Sequence, residues 1–252
     1  MSGHDHLVGV LRTQQLTESD RQVIRATRDQ IEGALRARLA GGPRFYYAGS
    51  YAKGTMLREA FDLDIVVYWP STAQYTLKSI FTATHTALAQ AQYKVQPKTV
   101  ALRLAYQSGF HVDVVPGRAQ DASFRYATLF KNVSPDSTLQ TSLKVHIDAV
   151  KKTGLADIVR ILKVWRLRHG VPLTTFAIEI LAARALSGKR CDDYAMAAWA
   201  VLTFIRDNII SVKLTDPANT NNAVEIGALY RVVIHQHATT AVASKTWGAI
   251  VW

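Results

Sequence analysis

The chain is short of several things, and each shortage closes a class of explanation. It contains one cysteine, Cys191, in 252 residues. An internal disulfide framework is therefore impossible, a reducing cytoplasm is the expected setting, and a small, partly buried thiol is the natural reading. No run reaches the roughly 18 apolar residues that a membrane span needs. Met1 to Gln15 has neither the basic-then-apolar build of a secretory signal nor the length of an anchor, so no membrane partner is expected. No internal repeat, low-complexity tract or long linker interrupts the sequence. Acids are scarce: 19 Asp and Glu stand against 30 Lys and Arg, a formal net charge of +11. That balance suits an anionic partner such as a nucleoside triphosphate, RNA, DNA or an acidic surface.

What is present suits one large domain or two small lobes, since 48% of residues are hydrophobic and 19% charged. The scarce acids are not spread evenly. Asp62-Leu63-Asp64 opens an apolar run, Ile65-Val66-Val67, and follows a glycine turn, Gly49-Ser50-Tyr51-Ala52-Lys53-Gly54-Thr55. The order reads as turn, short helix and strand. Residues i and i+2 of a strand face the same way, about 6.5–7 Å apart, so Asp62 and Asp64 aim two carboxylates at one spot. Like charges held together are costly unless a cation joins them. A hard divalent ion with oxygen ligands is that cation, and Mg²⁺ accepts one or two carboxylates plus substrate phosphates. Gly49 lets backbone approach a ligand closely, and Ser50 with the amides after it can open a helix toward phosphate.

Asp113 is the third acid of interest. It sits inside Phe110-His111-Val112-Asp113-Val114-Val115, where an unpaired carboxylate would be costly. If that strand lies beside the Asp64 strand, three carboxylates meet. The run Thr99 to Tyr106 reads as its hairpin partner, with a turn at Gln107-Ser108-Gly109.

The rest of the chain frames these elements. Residues 1–18 read as a loose tail holding His4 and His6, with no metal role expected. Ser19-Asp20-Arg21-Gln22 reads as a capping box for a helix reaching Gly41. On that helix Arg21, Arg25, Arg28 and Arg36 share one sector, either a solvated face or a stripe turned to phosphate. Arg44 to Ala48 is a short aromatic strand, and residues from Ala73 to about Ala91 are helical. From about Leu139 the character turns helical, with helices at Leu155–His169, Thr174–Leu186, Tyr194–Asn208 and Ala223 to about Ser244. Between Lys144 and Arg190 ten Lys and Arg face three acids. The fold class expected is α+β: a mixed-sheet lobe over residues 19–138 and a helical lobe over 139–252, with the N-terminal helix spanning both and the site in a cleft between them.

These residues resemble a known family. Gly49-Ser50, Lys53-Gly54-Thr55, Asp62-x-Asp64 and Val112-Asp113-Val114-Val115-Pro116 look like the polymerase-β-like nucleotidyltransferases. More narrowly they resemble the bacterial enzymes related to cyclic GMP-AMP synthase, the DncV-like or CD-NTase family. Leu162-Lys163-Val164-Trp165-Arg166, Leu173-Thr174-Thr175-Phe176-Ala177-Ile178-Glu179 and Asp216-Pro217 with Asn221-Asn222 carry the narrower likeness.

The resemblance implies that Asp62, Asp64 and Asp113 hold two Mg²⁺ ions, with Mn²⁺ able to substitute, and that Asp113 helps deprotonate the attacking hydroxyl. It implies that Gly49, Ser50, Lys163 and Thr175 bind triphosphate and that Phe176 stacks on a base. The implied activity is the joining of nucleoside triphosphates into a cyclic di- or trinucleotide, or short oligonucleotide, with release of pyrophosphate, in CBASS-type antiphage defence. A nucleic acid ligand is allowed but not required. The chain departs from the animal enzyme in lacking a zinc-binding Cys/His insertion, which one cysteine cannot make. The alternatives are a nucleotidyltransferase acting on an RNA or tRNA 3′ end, and a nucleotide- or RNA-binding module without catalysis.

Overall fold

The structure, a computed structural model, describes residues 2–106 and 110–252. The turn read at Gln107-Ser108-Gly109 lies outside the described residues. The chain divides into two compact units. A sheet unit comprises Leu16–Gly54 and Ala60–Ile147; a helical unit comprises Met1–Gln15, Thr55–Glu59 and Asp148–Trp252. The expected division at 138/139 and the loose tail at 1–18 are both corrected by this.

The tail is in fact helix α1 (Gly3–Thr13), opened by a reciprocal capping box between Ser2 and Asp5. Leu7, Val10 and Leu11 lie at i, i+3 and i+4 and enter the helical core, which is what orders the segment. His4 Nδ1 accepts from the Tyr194 amide at 3.1 Å, and His6 Nε2 lies 2.7 Å from the Val251 carbonyl. Both histidines serve packing.

Helix α2 (Glu18–Arg36) begins at an N-cap on Thr17, whose box partner is Asp20, two residues before the cap expected from sequence. It buries Ile24, Thr27, Ile31 and Leu35 and falls wholly within the sheet unit. Three of its arginines are paired with acids of the same helix: Arg25 with Glu18 at 2.5 Å, and Arg28 and Arg36 with Glu32 at 2.8 and 2.7 Å. Arg28 and Arg36 also cover the Tyr47 and Phe45 rings. The stripe is used internally.

The sheet follows as β1 (Arg44–Tyr47), α3 (Gly49–Lys53), β2 (Leu63–Trp69), α4 (Leu77–Gln90), β3 (Val95–Pro97), β4 (Leu102–Ala105), β5 (His111–Ala119), β6 (Ala127–Lys131) and β7 (Ser137–Thr141). Its seven strands run β1-β2-β5-β4-β3, with β6 pairing both β5 and β7. Only the β2–β5 pairing is parallel; the others in the sheet are antiparallel. Leu63, Ile65, Val67 and Trp69 alternate onto one buried face of β2, while Asp64, Val66 and Tyr68 take the other. Val66 and Tyr68 join Ala48, Ala127 and Leu129 in a small apolar cluster that carries the second face beyond Asp64. Strands β6 and β7 were not foreseen: Ser137–Thr141 lies at the edge of the sheet and alternates half-buried with exposed residues, a weak pattern.

The helical unit holds α5 (Leu143–Lys151) in part, then α6 (Ala156–His169), α7 (Thr175–Ala185), α8 (Tyr194–Asn208), β8 (Thr215–Asp216), β9 (Asn219–Ala223) and α9 (Ala228–Ala243). Helix α9 starts five residues later than its expected start at Ala223, because Asn219–Ala223 pairs with β8 and Gly227 takes the N-cap. Within this unit the apolar faces of α1, α6, α7, α8 and α9 form one core. Among the described residues, no helix is long and apolar enough to cross a membrane.

Candidate active site

The parallel pairing of β2 and β5 builds the site. Their register sets Asp64 directly beside Asp113, with Leu63 beside Val112 and Ile65 beside Val114. Side chains in register on neighbouring strands share a face and lie about 4.8 Å apart. The apolar neighbours fill the opposite face, so sheet packing forces the two carboxylates together. One step further out, Asp62 lies beside His111, whose Nε2 is 3.3 Å from Asp62 Oδ2. The period of two therefore carries Asp62, Asp64, His111 and Asp113 to one face.

The glycine turn closes on the same point. The Ala48 amide donates to the Asp64 carbonyl at 2.9 Å, extending the β1–β2 ladder to the foot of α3. Gly49 has φ +53°, and a Cβ there would sit 1.6 Å from Asp64 Oδ2. Only glycine satisfies both the backbone and the carboxylate. Ser50 is 9% exposed, and its Oγ is buried without a hydrogen-bond partner among the described residues. A buried hydroxyl left unpaired is costly, which suits an oxygen-rich ligand completing it. No side chain caps the first turn of α3.

Two residues that motif reasoning passed over also belong here. Arg103 on β4 stands opposite Asp113 in register and donates through Nε to Oδ1 at 2.9 Å and through Nη2 to Oδ2 at 2.7 Å. Its guanidinium is held more firmly charged, first by the bond to Asp113 and then by the field of Asp113, Asp62 and Asp64, against the opposing effect of burial. His111 is the other. The alternation Leu102-Arg103-Leu104, read as the hairpin partner of the Asp113 strand, carried the signal for Arg103. Rings of Phe61, Phe110 and Tyr106 pack at 5.4 Å centroid spacings just beyond Asp62, and burial pushes the Tyr106 hydroxyl up to about 12.

The Arg103 guanidinium and the His111 imidazole thus share this face with the carboxylates. All-oxygen acidic donors, an unpaired hydroxyl and a glycine cradle fit a hard divalent ion with phosphate. Among the described residues, no group of three or more acidic, histidine or cysteine side chains has gathered round a common metal position.

The helical unit contains the other residues singled out from sequence. Lys163, midway along α6, is 6% exposed and donates through Nζ to the Thr55 carbonyl at 2.8 Å. Thr175 is the first residue of α7, whose N-cap Thr174 accepts from the Ala177 amide. Phe176 is half-buried and packs against the helical core. Glu179 and Trp165 are buried.

Comparison with known proteins agrees with the sheet geometry. Residues 43–116, which hold the glycine turn and all three aspartates, match the nucleotidyltransferase domain of the cyclic GMP-AMP synthase DncV-like family. The cyclic AMP-AMP-AMP synthase of Escherichia coli (strain MS 115-1) is 27% identical over 77% of this chain and 74% of its own length. The CBASS oligonucleotide cyclase CdnC of Escherichia coli (strain KTE188) is 28% identical over 68% of this chain, which spans 61% of that protein. The solved structure of E. coli MS115-1 CdnC with ATP shares the fold at a TM-score of 0.73, with 22% identity over 96% of this chain and 90% of that one.

Proposed function

We propose that this chain moves a nucleoside monophosphate from a triphosphate to a ribose hydroxyl and releases pyrophosphate, a reading supported by the match of residues 43–116 to the DncV-like nucleotidyltransferase domain. The product is a cyclic di- or trinucleotide, or a short oligonucleotide, made in the cytoplasm as an antiphage signal. The observation that carries this is the register of Asp64 with Asp113 beneath a glycine that a methyl group could not replace.

Asp62, Asp64 and Asp113 would hold two divalent ions, Mg²⁺ with Mn²⁺ as a substitute, supplying compensation for charge on the attacking and leaving oxygens. Ser50 Oγ donates to a phosphate oxygen, the bond that its burial leaves unmade. Gly49 brings the α3 backbone against the same group. Asp113 accepts from the attacking hydroxyl and orients it. Lys163 offers positive charge to the triphosphate. Thr175 contributes a hydroxyl and Phe176 a ring face.

Addition to an RNA 3′ end is the weaker reading. It would rest on the basic run between Lys144 and Arg190, and a second candidate surface, the arginine stripe of α2, has Arg25, Arg28 and Arg36 paired with Glu18 and Glu32. Incubation with all four labelled triphosphates and Mg²⁺, without RNA, tests the proposal. Small phosphatase-resistant products from the wild type, absent in Asp64→Asn, are expected. Equal background in both would leave a binding module.

A further inference from the structure

Arg103 has no part in the transfer chemistry above, yet it holds both oxygens of Asp113. We propose that Arg103 is the positioning residue of the third carboxylate: a resident counter-ion that fixes Asp113 and keeps the nucleotide-free site from closing on a divalent ion, resting on the nucleotidyltransferase assignment above.

The placement is dictated by register. Strand β5 lies between β2 and β4, so Asp64, Asp113 and Arg103 form one row across three strands. The guanidinium meets both Asp113 oxygens in a fork of 2.9 and 2.7 Å, the arrangement with the greatest strength and angular definition. Asp113 has 15% of its side chain exposed and Arg103 34%, so the pair is only partly screened by water. Each carboxylate oxygen has two lone pairs, and the fork takes one on each. A divalent ion must use what remains or displace an N–H. The positive charge also lowers the attraction of the row for any second cation.

A purely structural role, pinning β4 to β5, would leave metal affinity unchanged. The two roles separate in a Mn²⁺ titration of the nucleotide-free full chain followed by electron paramagnetic resonance. Arg103→Gln is expected to bind Mn²⁺ roughly a hundredfold more tightly than wild type, as for removal of a unit charge about 6 Å from a divalent ion at an effective dielectric near 40. Arg103→Lys keeps the charge but makes one bond instead of a fork, and is expected to tighten binding about threefold. If Arg103→Gln fails to fold, as circular dichroism would show, Arg103→Lys decides. Binding no tighter than wild type in the folded variants, including none detectable in any, overturns the proposal. Pyrophosphate release by wild type and Asp64→Asn, measured alongside, separates the levels: loss in Asp64→Asn with no Mn²⁺ shift removes the Arg103 role alone. Full activity in Asp64→Asn removes the assignment beneath it.

Discussion

The two units of this chain treat charge in opposite ways. In the sheet unit, strand register displays Asp64 and Asp113 side by side, with Asp62 one step out and 44% of its side chain exposed. In the helical unit, α6 buries Arg160 and Lys163, and both reach backbone: Lys163 donates to the Thr55 carbonyl and Arg160 to the Leu11 carbonyl, at 2.8 and 3.1 Å. A strand presents alternate residues to one face whatever their polarity, whereas a helix packed on several sides must satisfy each polar group locally. The sheet unit therefore sets carboxylates side by side on one face, and the helical unit holds Arg160 and Lys163 against its own backbone.

The comparison breaks most sharply at Asp64. Asp64→Asn is expected to lower pyrophosphate release roughly 10³-fold, a far larger effect than on the unfolding midpoint, because it removes charge from the row facing the proposed metal. An equal loss of stability would mean that the carboxylate is structural. Gly49→Ala comes next. The added methyl collides with Asp64 Oδ2 and requires φ +53° of a residue with a Cβ. Activity is expected to fall about 10²-fold and stability by about 1–3 kcal/mol, measured by pyrophosphate release and urea unfolding.

Lys163→Met tests the other unit. It leaves the Thr55 carbonyl without its charged donor, so a stability loss of about 1.5–3 kcal/mol is expected with a rise in KM for triphosphate. A change in KM without loss of stability would make Lys163 a displayed group after all. The smallest effect belongs to Tyr194→Phe, which removes the 2.7 Å bond to Asp157. About 1 kcal/mol of stability should be lost with activity unchanged. The bond to Asp157, and then burial, push the Tyr194 hydroxyl up from 10.0 to about 12. Its contribution is complete below the ordinary value and fades as pH rises toward 12, so wild type and variant should converge in urea melts across that range.

Much of the sheet was legible because its signals are local. The turn at Gly49, the i, i+2 aspartates and the run around Asp113 each lie within a few residues, and the family likeness joined them. The capping of α1 by Ser2 and Asp5 was equally local, but the tail's polar residues hid a stripe of Leu7, Val10 and Leu11 that needs the helical core to be meaningful. The partner of Lys163 lies 108 positions away, and no spacing rule announces it. Arg103 was within reach: pairing the runs on either side of the expected turn sets it opposite Asp113. The edge strand β7 was hidden by weak alternation.

Asp64 and Asp113 would form, with Ser50, one place for metal and triphosphate. Anomalous diffraction from crystals grown with Mn²⁺ and a triphosphate blocked at its α–β link tests this most directly. The expected result is Mn²⁺ density between the Asp64 and Asp113 carboxylates with phosphate oxygens against Ser50 Oγ. Triphosphate and metal bound elsewhere on the chain, with that row of strands bare, would contradict it.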